Sequence, residues 1–115
     1  MRYLLLIGSD DKNQTAPPKA EMEAIVQGHA RFAQELRATG KMVHAERLRP
    51  DSDGSRIRVK AGQRQVMDGP FTETKEALGG YYVIEAADLD EALSIAKEVP
   101  APFGGVEVRP IRVLS

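Results

Sequence analysis

Two short segments of this chain are apolar on both sides, and no other feature restricts its fold so much. In Met1 to Ile7, Tyr3, Leu5 and Ile7 alternate with Leu4 and Leu6. In Tyr81 to Ala86 the same double-sided pattern returns. A strand alternates its side chains between two faces, so a strand greasy on both faces has to be covered on both. The 115-residue chain is the size of one domain and can bury roughly two thirds of its unfolded surface. We therefore expect a single domain over residues 1–115.

Helical periodicity covers one face only. From Pro18 to Thr39 the apolar residues Met22, Ile25, Val26, Phe32, Ala33 and Leu36 recur at helical spacing, with Gly40 placed as the C-terminal cap. His29 lies on that stripe. Asp88 with Glu91 three residues later opens a second helix, buried through Leu89, Ala92, Leu93, Ala96 and Val99 and stopped by Pro100. Strands are expected at Lys41–Leu48 and Val106–Leu114. A hairpin is expected between Arg56–Lys60 and Gln63–Met67, turning at Ala61-Gly62. Asp10 to Lys19 reads as a loop, Pro50 to Gly54 as a turn, and Thr72 to Ala77 as one helical turn, with Gly79-Gly80 opening the next strand. The order predicts an α+β, ferredoxin-like βαββαβ plan with an inserted hairpin and both helices on one face of the sheet. The second apolar face then predicts a homodimer with sheets facing each other.

Composition excludes several functions. Sixteen basic and 17 acidic residues leave a net charge of −1, without the basic excess of a nucleic-acid binder. The longest apolar run, Leu4 to Ile7, is far below the ~18 residues of a membrane span, and the N-terminus lacks signal-peptide character. A cytoplasmic location is expected. The chain has no cysteine, which removes disulfides, thiolate catalysis and zinc–sulfur sites. His29 and His44 are the only histidines. His44 and Glu46, two apart in a strand, share a face but would need a third ligand, so no metal and no cofactor is expected.

The candidate chemistry gathers at Asp68-Gly69-Pro70-Phe71 and the segment after it. His29 is the natural general acid or base in a cysteine-free chain; the competing reading is a histidine at the core edge bonded to a backbone carbonyl. Asp68 begins a proline-fixed turn. Its carboxylate either bonds its own backbone or is aimed at His29. Glu73, Lys75 and Glu76 form a charge cluster between that turn and Gly79-Gly80, a placement typical of binding residues and equally of a solvated face. One of Tyr81 and Tyr82 is expected to pack and the other to line the pocket.

Asp68-Gly69-Pro70-Phe71-Thr72-Glu73-Thr74-Lys75-Glu76, followed by Gly79-Gly80-Tyr81-Tyr82, resembles the signature of the YCII-related family, in its DGPF (DGPFAETKE) branch. The similarity extends to Tyr3–Ile7, Glu35–Gly40, Glu46, Leu48, Asp88–Ala92 and Val106–Ile111. The resemblance implies a ferredoxin-like fold assembled as a dimeric α/β barrel, and an active site in which a first-helix histidine faces the aspartate of the Pro-Phe turn; those positions match His29 and Asp68. It also implies enzymatic activity, and the inward histidine with the turn carboxylate suggests an enzyme-like pocket for a small polar or anionic molecule. Glu46, Pro70, Phe71, Glu73, Lys75, Glu76, Tyr81 and Arg109 are its candidate ligand-binding residues. Because members of this branch are often encoded beside extracytoplasmic-function sigma factors, the resemblance implies as an alternative a non-catalytic module with a sigma-factor partner.

Overall fold

The computed structural model describes residues 1–9, 19–49, 53–69, 77–101 and 104–113. The chain runs β1 (Arg2–Ser9), α1 (Lys19–Ala38), β2 (Met42–Arg47), β3 (Ser55–Lys60), β4 (Gln63–Asp68), β5 (Ala77–Glu85), α2 (Leu89–Ala96) and β6 (Val106–Pro110). Four strands form one sheet in the order β2-β5-β1-β6, with every neighbouring pair antiparallel. The strands β3 and β4 form a separate two-stranded sheet. Without that hairpin the topology is βαββαβ with the two apolar strands, β1 and β5, at the centre. This is an α+β arrangement compatible with the ferredoxin-like plan.

The core lies between the helices and one face of the sheet. Tyr3 and Leu5 of β1 stand opposite Ile84 and Tyr82 of β5, and the same buried cluster takes in Phe32 and Leu36 of α1 and Ala92 and Ala96 of α2. Leu5, Ile84 and Ala92 are fully buried. Their neighbours on the other face, Leu4, Leu6, Tyr81 and Val83, are only half covered, so the second apolar face is real and open within one protomer.

Both helices end as their sequences dictate. Gly40 adopts φ 73°, and Lys41 N–H donates to the Leu36 carbonyl while Gly40 N–H donates to that of Arg37, the paired bonds of a Schellman cap. The Asp88 carboxylate accepts from Glu91 N–H at 2.9 Å, and Glu91 reaches back to Ala87 N–H at 3.3 Å.

Three expectations need correction. Val26, Leu89 and Leu93 were placed on buried stripes but are 47%, 49% and 41% exposed; Ile95, not Leu93, packs on the core, because α2 is rotated to put its small residues against the sheet. Gly79 and Gly80 lie inside β5, not before it, and Ala77 is already strand. A Cβ on Gly80 would stand 2.9 Å from the Glu46 carbonyl oxygen, so only glycine allows β5 to pair with β2 there. The last strand stops at Pro110 rather than Leu114. Among the described residues its partner is β1, which begins at Arg2, whose carbonyl accepts the final bond from Ile111 N–H. The hairpin at Ala61-Gly62 forms, with both residues at positive φ, yet neither face packs on the core; apart from Arg56 every strand residue is exposed. The expected loop at residues 10–18 and the turn at residues 50–52 lie outside the described residues.

Candidate functional site

Histidine 29 sits on the inward side of α1, three residues before the buried Phe32. Facing it from the sheet is Tyr82, whose position on the helix side follows from strand parity: Tyr82, Ile84 and Ala86 point one way, Tyr81 and Val83 the other. The His29 Nδ1 and the Tyr82 hydroxyl oxygen are 2.6 Å apart. Phe32 meets the Tyr82 ring edge-on at 5.0 Å between centroids, which holds the phenol in place.

The Pro100 backbone lies beside the imidazole and favours its protonated form. Proline has no N–H, so its backbone can act on the ring only as an acceptor. The bond between Nδ1 and the Tyr82 hydroxyl runs from phenol to imidazole when Nε2 carries the ring proton, and from imidazole to phenol in the other tautomer. Gly28, the residue before His29, lets Pro100 come this close: a Cβ there would stand 3.3 Å from the proline Cγ.

The charge state follows from the surroundings. Burial holds the His29 imidazole below its usual pKa of 6.5; the bond to Pro100 works against this, and the positive Arg47 adds to it. Burial pushes the Tyr82 phenol above its usual 10.0, with Arg37 pulling it back. At neutral pH the pair is therefore a neutral imidazole hydrogen-bonded to a neutral phenol, with two guanidinium groups nearby. Arg47 also donates to the Met22 sulfur at 3.9 Å. A site of this kind can move a proton between two adjacent groups and favours an anion beside it.

The residues singled out from the sequence fall in three places. His29 is at the contact with Tyr82. Glu46, Tyr81 and Arg109 all lie on the opposite, open face of the sheet, since Glu46 pairs with Tyr81, Tyr81 with Leu6, and Arg109 with Leu4. There the His44 ring lies 5.8 Å from that of Tyr81 and its Nε2 lies 3.7 Å from Glu46, while Arg109 is paired with Glu107. Asp68 is the last residue of β4, exposed at the base of the hairpin, and no hydrogen bond or ion pair joins it to His29. The expected His29–Asp68 contact is thus replaced by His29–Tyr82. Among the described residues the hairpin that carries the carboxylate pairs only with itself, and the inward side of His29 is filled by the strand beneath it. Gly69, at φ 90°, closes the base of the hairpin through its N–H to the Gly54 carbonyl. Pro70, Phe71, Glu73, Lys75 and Glu76 lie outside the described residues.

Sequence reasoning missed Tyr82 as the partner of His29, together with Pro100, Arg47 and Arg37. The signal for Tyr82 was available, because a tyrosine two residues before the deeply apolar Ile84 shares its face. Among the described residues, no group of three or more His, Asp or Glu side chains is arranged to hold a metal ion, and no helix is long and apolar enough to cross a membrane.

The sheet order and the two helices define an α+β domain compatible with the ferredoxin-like plan. A family model of the YCII-related domain matches residues 1–115, and an uncharacterized protein of Rhizobium meliloti is 37% identical over 114 residues, spanning 96% of this chain and 92% of its own. The chain belongs to the YCII-related family. Among solved structures, it is similar to the 5-chloro-2-hydroxyhydroquinone dehydrochlorinase (TftG) of Burkholderia phenoliruptrix in complex with 2,5-dihydroxybenzoquinone. That likeness has a TM-score of 0.53 at 17% identity, over 97% of this chain and 94% of that one, and is a likeness of fold.

Proposed function

We propose that this protein binds a small molecule with a weakly acidic hydroxyl and uses His29 and Tyr82 as the acid–base pair that moves its proton. The observation carrying this reading is the 2.6 Å contact between His29 Nδ1 and the Tyr82 hydroxyl, in a half-buried position where the imidazole is kept neutral. A ligand hydroxyl that gives its proton to the Tyr82 oxygen lets the phenolic proton pass to Nδ1. The ligand becomes an anion, the phenol is regenerated, and the imidazolium is held by the Pro100 carbonyl. Arg37 and Arg47, whose fields reach Tyr82 and His29, favour the anion. The fold neighbour is named for chemistry on a hydroxylated ring, which supports testing phenols and enols first.

Two copies complete the molecule in this reading, their open sheet faces meeting as in a dimeric α/β barrel. Leu4, Leu6, Tyr81 and Val83 would form the seam, with Glu46 and Arg109 at its margin instead of beside His29. Thermal-shift and turnover assays over a panel of small phenols, enols and carboxylates test the proposal, with Tyr82→Phe and His29→Gln beside the native protein. Binding and turnover lost in both variants support it. Ligands bound and turned over equally well by both variants would sink it. No small-molecule binding, together with co-purification of a sigma factor, would favour the regulatory alternative.

A further inference from the structure

The β3–β4 hairpin carries an apolar face that none of the described residues of its own chain covers. Ile57 stands opposite Val66, and Val59, two residues on, shares their side; the three are 55%, 72% and 70% exposed. A lone two-stranded hairpin is marginal in water, and an exposed apolar strand pair invites association. Along β4 this face reads Arg64, Val66, Asp68: a base, an apolar residue and an acid, spanning about 13 Å at strand spacing.

A surface of the opposite pattern lies elsewhere in the chain. Between α2 and β6 runs an apolar groove of about 340 Å³, lined by Leu93, Ala96, Lys97, Val99 and Val106 among others. On α2, Asp90, Leu93 and Lys97 are spaced three and four apart and so share one face. They read acid, apolar residue and base over about 10 Å at helical rise. All three are exposed. Among the described residues Arg64, Asp68, Asp90 and Lys97 have no side-chain ion pair.

We infer that the hairpin is an arm that lays Ile57, Val59 and Val66 into the α2–β6 groove of a second copy, pairing Arg64 with the partner's Asp90 and Asp68 with the partner's Lys97. The inference rests on the face-to-face dimer proposed above. The arm leaves the sheet from β2, and β2 and β6 are its two opposite edges. When two such sheets face each other about a two-fold axis along the strands, each β2 edge lies over the other copy's β6 edge, beside the groove. The exchange is mutual, so it closes at two copies and does not propagate.

The absence of cysteine makes disulfide trapping clean. Val66→Cys and Leu93→Cys are made separately, mixed, oxidised and resolved by mass, while sedimentation gives the oligomeric state of the native protein. The expected product is a disulfide-linked pair holding one chain of each variant. Asp68→Lys alone and Lys97→Asp alone are each expected to weaken the dimer several-fold at low salt, and their combination to restore it. Three results overturn the inference: a Val66→Cys, Leu93→Cys double variant that closes only within one chain, so that the arm folds back on its own α2; a native dimer in which neither trapping nor the charge exchange has any effect, which leaves the face-to-face dimer standing; and a native monomer, which removes both.

Discussion

The imidazole of His29 and the phenol of Tyr82, 53 residues apart in the chain, meet at 2.6 Å where α1 crosses β5. Pro100, beyond the end of α2, also acts on the imidazole, so three separate stretches of chain meet at one side chain.

Removing the phenol tests how much of His29's behaviour depends on it. A hydroxyl donating into Nδ1 competes with the proton that would otherwise bind there. Tyr82→Phe is therefore expected to raise the His29 pKa toward its usual 6.5, read from the imidazole C–H signals in an NMR titration. The loss of one partly buried hydrogen bond should cost about 1 kcal/mol in denaturant unfolding.

The depressed pKa of His29 makes stability depend on pH in a definite direction. In the unfolded chain the imidazole takes up its proton near 6.5, whereas in the folded protein it does so only at lower pH. As pH falls below about 6.5 the unfolded state gains protons first, so stability declines until the folded pKa is passed, and it is full above 6.5. His29→Gln should flatten that part of the profile. Denaturant midpoints measured between pH 7.5 and 5 for both proteins would show the native chain losing ground relative to the variant; parallel profiles would contradict the assignment.

Gly28→Ala separates stability from tautomer control. Alanine favours the helix by about 1 kcal/mol over glycine, while its Cβ at 3.3 Å from the Pro100 Cγ requires the proline to yield by a few tenths of an ångström. These effects oppose each other, so the unfolding free energy should change little. The Pro100 backbone moves nonetheless, and the ¹⁵N shifts of the His29 ring should report a changed balance between its two tautomers.

Gly80→Ala should be far more harmful than its exposed counterpart Gly62→Ala. At Gly80 the new Cβ meets the Glu46 carbonyl oxygen at 2.9 Å, which is backbone and part of the β2–β5 ladder. A loss of about 2–3 kcal/mol is expected from forced strand separation. At Gly62 there is open space, and only the strain of φ 77° remains, about 1 kcal/mol. Thermal unfolding of the two variants checks the difference.

Much of this protein was decided by sequence alone. Double-sided apolar patterns in Tyr3–Ile7 and Tyr81–Ala86 put β1 and β5 at the centre of the sheet. The period of Phe32 and Leu36 fixed the inward side of α1, and with it the inward histidine. Gly40, Asp88 with Glu91, and Ala61-Gly62 marked a helix end, a helix start and a hairpin turn. These are local rules, in which backbone geometry and a few neighbours decide the outcome. Tertiary structure alone decided what stands opposite His29. Asp68 was the partner expected from sequence, but the strand parity anchored by Ile84 brings Tyr82 under α1, while the hairpin carries Asp68 off on a sheet of its own. The same pairing puts Glu46, Tyr81 and Arg109 on the far face of the sheet from the histidine. Contacts between residues more than 50 apart depend on the register and rotation of whole elements, and the core sets these collectively.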